Sequence, residues 1–166
     1  EYDDPNRFPG NYTTGLNAKN DQDLYLNPGL YCIRGGMKNN SKASVTGNGV
    51  TLYFYDYGDV QLNQNNAGDV ILTSCKAEPC GNPSAIQGLL MYFDPSYQAD
   101  VQLNGSSTNI FRGTVFGSNA NFHLNGNTDT LSEEIYNFST QIIGNWIEIN
   151  GNAMLVMNLK SDDFVS

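Results

Sequence analysis

The stretch Val101-Gln102-Leu103-Asn104-Gly105 decides how this chain folds, because close copies of it recur along the sequence. The copies are Val-Gln-Leu-Asn at 60–63, Phe-His-Leu-Asn-Gly at 122–126 and Ile-Glu-Ile-Asn-Gly at 147–151. The apolar residue before each Asn lies at positions 62, 103, 124 and 149, so the steps are 41, 21 and 25 residues. Steps of about 20 residues with one double step are typical of a solenoid, in which one structural unit repeats and stacks on its neighbour.

The alternation within the motif predicts a strand with its apolar residues on one face. Val101 and Leu103 share one side and Gln102 takes the other, while the following Asn-Gly lets the chain turn a corner. Asn side chains at matching corners can hydrogen-bond as a ladder. Because whole units are copied in one direction, we predict an all-β, single-domain parallel β-helix over residues 24–160. The alternative is an antiparallel β-sandwich, in which Asn-Gly would mark hairpin turns.

The segments between the motifs supply further strands. Residues 50–55, Val-Thr-Leu-Tyr-Phe-Tyr, have the highest content of β-branched and aromatic residues. Residues 86–93 resume the apolar pattern inside the 41-residue step, so we expect a hidden coil there. Residues 153–157, Ala-Met-Leu-Val-Met, predict a strand after the last motif. Each coil is thus expected to contain two short strands separated by polar turns.

The two ends of the chain differ in composition from the repeats. Residues 1–23 contain Pro5, Pro9, Gly10 and several Asn but few apolar side chains. They are predicted to form an extended N-terminal arm that docks on its own domain or on a neighbouring subunit. Residues 161–166 are predicted to be a tail.

Composition excludes several classes of function. The chain has 166 residues, enough for one domain with a real core, and its 23 Asn and 17 Gly disfavour helices. The formal net charge is −9, which argues against nucleic acid and against an anionic membrane as partners. No apolar run approaches the roughly 20 residues of a membrane helix, so no membrane insertion is expected.

The three cysteines predict one disulfide. Cys75 and Cys80 flank a short turn-like loop that contains Pro79, which favours a local bridge formed in an oxidising compartment. Cys32 would then be a free, buried thiol. Three reduced thiols are the alternative, since Cys often behaves as a small apolar residue. Three cysteines and one distant His do not give the spacing of a zinc site.

Several segments have a recognisable combination of motifs: 26–31 (Leu-Asn-Pro-Gly-Leu-Tyr), 45–54, the Ile/Leu-Asn-Gly corners, 112–116 (Arg-Gly-Thr-Val-Phe) and 141–152. Together they resemble a known family of extracellular right-handed β-helix domains. These domains lie at the C-terminal end of bacterial Tad-type (Flp) pilus-assembly, TadE/G-like proteins, and the resemblance covers about residues 24 to 159. It implies a right-handed coil and a cell-surface or pilus-associated role, with no catalytic site to carry over. Ser139 and Thr140 stand where the family often has a cysteine, so a long-range bridge to Cys32 is not carried over.

Candidate catalytic groups are few, and no catalytic residue is predicted. His123 is the single histidine, occupies a position expected to face solvent or a turn, and has no carboxylate near it in sequence. Asp59 and Asp100 open equivalent strands and could form the carboxylate pair of a glycosidase, but corner positions in a solenoid are also commonly acidic. Glu133-Glu134 lies in a turn-like insertion, and Arg112 is expected to be a solvated strand residue.

No cofactor and no metal site are predicted. The acidic pairs nearest to a calcium site are Asp21 with Asp23 and Asp162 with Asp163, but neither has the spacing of a full calcium loop. Calcium is therefore only a secondary expectation. Four Asn-x-Ser/Thr sequons are candidate N-glycosylation sites, at Asn11, Asn39, Asn104 and Asn137.

A tyrosine stripe is the most notable surface feature. Tyr53, Tyr55 and Tyr57 occur at alternate positions, which predicts that they share one face of a strand. Such a stripe can stack on sugars or contact another subunit, where Tyr is enriched. Packing on the sheet surface is the alternative interpretation.

These observations predict a secreted structural protein at the cell surface or outside the cell. It is expected to be no enzyme, and to self-associate as a homopolymer through the solenoid ends and the N-terminal arm. One alternative is a cell-surface adhesin that binds surface glycans through its tyrosines. Another is a polysaccharide lyase or hydrolase of the β-helix type.

Overall fold

The computed structural model describes residues 6–18, 22–39, 42–62, 68–105, 108–126 and 138–151. Over these residues the chain is all-β and winds through about five turns of a parallel β-solenoid. The prediction of a parallel β-helix is therefore confirmed, and its right-handedness stays a prediction. None of the described residues forms a helix long and apolar enough to cross a membrane.

Each coil contributes one strand to each of three parallel sheets. Sheet 1 contains β1 (Asn6–Arg7), β4 (Leu24–Leu26), β7 (Val45–Asn48) and β10 (Val70–Thr73). Sheet 2 contains β2 (Gly10–Tyr12), β5 (Gly29–Arg34), β8 (Val50–Tyr55) and β11 (Leu89–Phe93). Sheet 3 contains β3 (Leu16–Ala18), β6 (Met37–Asn39), β9 (Val60–Leu62) and β12 (Ala99–Gly105). The long strands β13 (Ile110–Gly126) and β14 (Phe138–Gly151) run through all three sheets.

The recurring motif forms the rungs of sheet 3. Leu103 is in register with Leu62 on one side and with Leu124 on the other, and Leu124 is in register with Ile149. The three leucines are buried, as the alternation within the motif requires. The predicted stacking of the Leu-Asn and Ile-Asn corners along one axis is confirmed.

The 41-residue step is a single coil, so the prediction of a hidden coil at residues 86–93 is wrong. β9 pairs directly with β12, without a strand between them. The additional residues lie between β10 and β11, in a loop over residues 74–88 that we call the disulfide loop. The prediction of two strands per coil is also wrong, since a coil turns three corners and needs three strands to close around its core.

The first coil replaces the predicted arm. β1, β2 and β3 pair in parallel with β4, β5 and β6. Leu16 and Ala18 in β3 are only 2% and 4% exposed. Residues 6–18 therefore lie on their own domain, one of the two places predicted for the arm. The prediction that they are an extended arm is wrong, because their few apolar side chains fill the same core as the later coils. Residues 1–5, 19–21, the predicted strand 153–157 and the tail 161–166 lie outside the described residues.

Aromatic side chains stack between coils inside the core. The rings of Phe54 and Phe93 are stacked with centroids 4.8 Å apart, and Phe93 meets Phe122 edge to face at 5.7 Å. Such pairs stabilise beyond the area they bury. The Tyr31 hydroxyl lies 2.8 Å from the carbonyl oxygens of both Arg7 and Asn27 and donates to one of them. Burial raises the pKa of Tyr31, so its hydrogen-bonded neutral form is favoured.

The corners after sheet 3 form part of the predicted asparagine ladder. Asn104, Asn125 and Asn150 are in register. The Asn125 amide donates to Asn104 Oδ1 over 2.8 Å. This bond joins neighbouring coils at a partly buried corner, where an unpaired amide would be costly.

Candidate functional site

An outward-facing row of aromatic rings runs across neighbouring coils of sheet 2. Tyr53 stacks on Tyr55 within β8, with ring centroids 5.7 Å apart. Tyr53 also contacts Tyr92 of β11 at 5.7 Å, and Tyr92 stacks on Phe116 of β13 at 5.5 Å. All four side chains are half-buried. We call Tyr53, Tyr55, Tyr92 and Phe116 the aromatic strip.

Hydrogen bonds fix the two hydroxyls of the strip that belong to β8. Tyr53 Oη donates to Asp94 Oδ2 over 2.6 Å, and the backbone N–H of Ser96 donates to Asp94 Oδ1 over 2.8 Å. The bond to Asp94 is the largest cause that raises the pKa of Tyr53 to about 12. Bonds from Ser96 and Tyr53 lower the pKa of Asp94. Tyr55 Oη donates to Asn11 Oδ1 over 2.9 Å. Asn11 lies in the same column as Tyr53, two coils earlier, at one end of the strip.

The disulfide loop forms a wall beside the strip. Cys75 and Cys80 are bonded, as predicted. By alternation along β8, Thr51 faces outward like Tyr53, yet it is only 1% exposed because the loop lies over it. The backbone N–H of Ile86 donates to Thr51 Oγ1 over 2.9 Å, and Thr51 Oγ1 donates to the Leu89 carbonyl over 2.8 Å.

The opposite side of the strip carries an ion pair. Arg34, in register with Tyr55, pairs with Asp56, and its guanidinium lies over the Tyr57 ring at 5.0 Å. The prediction that Tyr57 shares a strand face with Tyr53 is wrong, because β8 ends at Tyr55. Asp56 then adopts a positive φ of 71°, and the chain turns before Tyr57.

The last described coil exposes part of its core. Ile147 and Ile149 are in register with the buried residues Phe122 and Leu124, but they are 41% and 46% exposed. We call Ile147 and Ile149 the end face. The neighbouring Trp146 is 48% exposed, so apolar surface is concentrated on β14, as at many contact sites.

His123 has a carboxylate partner that sequence proximity does not show. Its Nδ1 lies 3.0 Å from Glu148 Oε2, and its ring meets Trp146 edge to face at 5.2 Å. The partner comes from the next coil, 25 residues later. The motif contains the signal for this pair, because His123 and Glu148 both occupy its second position and therefore align. The pair joins two coils, and no nucleophile is seen to complete a triad among the described residues.

Cys32 is a free thiol, as predicted, but the prediction that it is buried is wrong. The residue is half-buried and faces outward in register with Tyr53, because β5 directs Tyr31 and Ile33 into the core. Partial burial raises the pKa of its thiol. The neutral thiol form is therefore favoured.

The candidate carboxylates Asp59 and Asp100 lie on neighbouring coils of the solenoid. Asp59 and Asp100 precede Val60 and Val101, which are in register. Asp100 Oδ1 accepts a hydrogen bond from Asn121 Nδ2 at 3.2 Å, which ties it to the next coil. Arg112 is exposed, and Glu133 and Glu134 lie outside the described residues.

Within the described residues, the acidic pairs do not form a metal-binding arrangement. Asp23 accepts bonds from the Ser44 N–H at 2.8 Å and from the Tyr25 hydroxyl at 3.1 Å. Asp21, Asp162 and Asp163 lie outside the described residues. Among residues that are described, no group of three or more His, Cys, Asp or Glu could hold a metal ion.

The candidate glycosylation sites differ in accessibility. Asn11 is exposed and Asn104 is half-buried. Asn39 is fully buried, and its amide donates to the Ala43 carbonyl over 3.3 Å. The folded domain therefore does not offer Asn39 for N-glycosylation, which corrects that expectation. Asn137 lies outside the described residues.

Comparisons with known proteins add no relationship to this geometry. No protein-family model, no curated protein and no solved structure matches the chain. The resemblance to TadE/G-like domains therefore stays a prediction.

Proposed function

We propose that this chain is a structural subunit of an extracellular filament or pilus-like surface assembly, in which subunits join head to tail through the ends of the solenoid. The observation that carries the proposal is the end face. Ile147 and Ile149 continue columns whose previous members, Phe122 and Leu124, are buried. One further coil stacked on β14 would bury both isoleucines, and each fully buried side chain of this size contributes about 1.5–3 kcal/mol.

The backbone of β14 favours the same contact. Within the described residues, β14 pairs with β13 and with no other strand. We infer that a parallel strand from another chain pairs with the N–H and C=O groups of the second edge of β14. The contact would combine backbone hydrogen bonds with burial of apolar side chains.

The first coil of a second copy has the shape that this edge requires. β1, β2 and β3 place one short strand in each of the three sheets, which is the layout of the coil formed by β14. Phe8, in the turn between β1 and β2, is 67% exposed and adds an apolar side chain at this end. Because the two surfaces differ, the contact does not close on itself and yields a fibre. The docking element is then the first coil instead of a free arm.

The disulfide and the charge suit a protein outside the cell. The Cys75–Cys80 bond fits an oxidising environment. A net charge of −9 disfavours nucleic acid and anionic lipid surfaces as partners. The proposed role is non-enzymatic and needs no cofactor.

A charge placed on the end face tests the proposal. We expect the double variant Ile147→Lys/Ile149→Lys to weaken self-association at least about tenfold, because two charges would lie in a contact that is otherwise apolar. Sedimentation velocity across a concentration series, with negative-stain microscopy of the same samples, measures this. The matched control is Ile86→Lys, since Ile86 is 49% exposed but lies on the disulfide loop, away from the ends.

The chain's own residues 153–157 are the competing occupant of the end face. Deleting residues 152–166 distinguishes a second copy from the chain's own residues 153–157 as the occupant of the end face. Head-to-tail association predicts assembly by both the full and the shortened chain. A full chain that stays monomeric at every concentration, with assembly only after the deletion, would contradict the proposal. Equal association by Ile147→Lys/Ile149→Lys and by the unchanged chain would also contradict it.

A further inference from the structure

We propose that the aromatic strip on the outer face of sheet 2 binds an uncharged polysaccharide, whose chain lies across neighbouring coils and parallel to the solenoid axis. The site is separate from the end face and does not depend on the assembly role. It combines half-buried, outward-facing aromatic rings with hydrogen-bonding groups beside them and at one end of the strip.

The spacing of the rings leaves part of each ring face uncovered. Tyr92 and Phe116 are nearly parallel, at 13°, with centroids 5.5 Å apart. Rings in contact are separated by about 3.5–4.0 Å, so these two rings are also displaced sideways by about 4 Å. Tyr53 and Tyr55 have similar geometry, at 21° and 5.7 Å. Tyr53 and Tyr92, which connect the two pairs, are tilted by 46°. All four side chains are half-buried.

The chemistry of the strip matches that of a sugar ring. A pyranose with equatorial hydroxyls has a flat face of C–H groups that packs on an aromatic face, and its hydroxyls need hydrogen-bond partners at the sides. Asp94 and Asn11 stand beside the rings and accept bonds from Tyr53 and Tyr55. Each carboxylate oxygen has two acceptor sites, so Asp94 keeps capacity to accept bonds from sugar hydroxyls. Tyr55 Oη, which donates to Asn11, can also accept a bond.

The width of the strip favours a slender ligand over a second protein. The rings of the strip belong to three successive coils, in β8, β11 and β13. The strip is two side chains wide at β8 and one side chain wide at β11 and β13. The disulfide loop lies over Thr51 on one side, and the pair Arg34 and Asp56 lies on the other. A stable protein interface buries about 800 Å² on each partner, which is more than four half-buried rings offer.

The negative charge of the molecule favours uncharged over acidic polysaccharides as ligands. Asp94 and Asp56 lie beside the rings, Arg34 is already paired with Asp56, and the whole chain carries a net charge of −9. An acidic polysaccharide would be repelled by this field. The ligand class that fits is an uncharged hexopyranose chain with equatorial hydroxyls.

Calorimetric titration of the whole chain tests the site with defined probes. The probes are cellohexaose, mannohexaose and N-acetylchitohexaose, with hexagalacturonate as the acidic comparison. We expect saturable binding of at least one uncharged probe and weaker binding of hexagalacturonate. Tyr92→Ala should weaken the binding at least about tenfold, because Tyr92 touches a ring on each side, whereas Tyr92→Phe should stay within about threefold.

Matched variants separate loss of binding from loss of fold. Tyr25→Ala removes a tyrosine that is 42% exposed on sheet 1 and should leave the affinity unchanged. Thermal unfolding confirms that each variant is folded, and Tyr55→Ala, at the end of β8, replaces Tyr92→Ala if the latter does not fold. Absence of saturable binding by all three uncharged probes would overturn the proposal. Unchanged affinity in a folded Tyr92→Ala variant, or preference for hexagalacturonate, would also overturn it. A dimer that Tyr92→Ala dissolves would assign the strip to a second copy instead.

Discussion

Leu103→Asp is expected to lower the free energy of unfolding by about 5 kcal/mol or more, which leaves the chain unfolded at room temperature or nearly so. Leu103 is fully buried and lies between Leu62 and Leu124 in the stacked column of sheet 3. The substitution removes about 1.5–3 kcal/mol of apolar burial. It also places a carboxylate among apolar side chains, where a charge without a partner costs several kcal/mol.

The neighbouring residue provides the control for this prediction. Gln102 faces outward in the same strand and is half-buried. We expect Gln102→Asp to change the free energy of unfolding by about 0.5 kcal/mol, as for ordinary surface substitutions. Urea unfolding followed by circular dichroism measures both variants. Similar stabilities for Leu103→Asp and Gln102→Asp would show that alternate residues of the motif do not face opposite sides.

Gly36→Ala is expected to lower the free energy of unfolding by about 4 kcal/mol. Gly36 forms the corner between β5 and β6 with a φ of 76°. A Cβ atom there would lie 2.1 Å from the Asp59 carbonyl oxygen of the next coil, which accepts the hydrogen bond from the Met37 N–H at 3.1 Å. Backbone occupies both sides of this contact, so neither side can move without breaking the pairing of the coils.

Gly49→Ala is the control for Gly36→Ala, because it introduces the same backbone strain without the steric clash. Gly49 forms the corner between β7 and β8 with a φ of 72°, almost the same as that of Gly36. A Cβ atom there would meet only Pro28 Cβ, at 3.6 Å. We expect a loss of about 1 kcal/mol from the left-handed conformation alone. Denaturant unfolding of the two variants should therefore differ by about 3 kcal/mol, and equal losses would mean that coils do not approach closely at Gly36.

The recurring motif made the stacking of sheet 3 predictable, because its residues are nearly the same in each coil. Val60, Val101 and Phe122 occupy one inward column and Leu62, Leu103 and Leu124 the next. Sheets 1 and 2 do not repeat in this way. In sheet 2, Tyr31, Leu52 and Met91 fill one column, and residues so different in size give no visible period. Three sheets were therefore not foreseen.

The disulfide loop and the small number of apolar residues in the first coil explain why the hidden coil and the N-terminal arm were predicted wrongly. The disulfide loop lengthens one coil, and its apolar residues, such as Ile86, imitate a further strand. The first coil buries only Leu16 and Ala18 in β3, which is too few apolar residues to distinguish a strand from an extended arm. The local Cys75–Cys80 bond was predictable because both cysteines flank one short loop, so no knowledge of register was needed.

The aromatic strip could be predicted only in part, because it depends on which residues of β8, β11 and β13 are in register. The disulfide loop between β10 and β11 hides that register in the sequence. Tyr53 and Tyr55 were visible as alternating residues of one strand. Tyr92 lies 39 residues after Tyr53, and Phe116 belongs to the following coil. Which residues of different coils share a column is decided by the lengths of the corners and loops, and the sequence motif defines these only for sheet 3.

A disulfide cross-link between Gln61→Cys and Gln102→Cys, in a Cys32→Ser background, tests the stacked-coil account most directly. The two residues are 41 positions apart and in register on neighbouring strands. Their Cα atoms should then be about 4.8 Å apart, within the range that a disulfide spans. We expect nearly complete oxidation, detected by mass spectrometry of proteolytic fragments. The pair Lys38→Cys and Gln102→Cys, two coils apart at about 9.6 Å, should stay reduced. If Gln61→Cys and Gln102→Cys stay reduced while the Lys38→Cys pair oxidises, the coils do not stack in the register described.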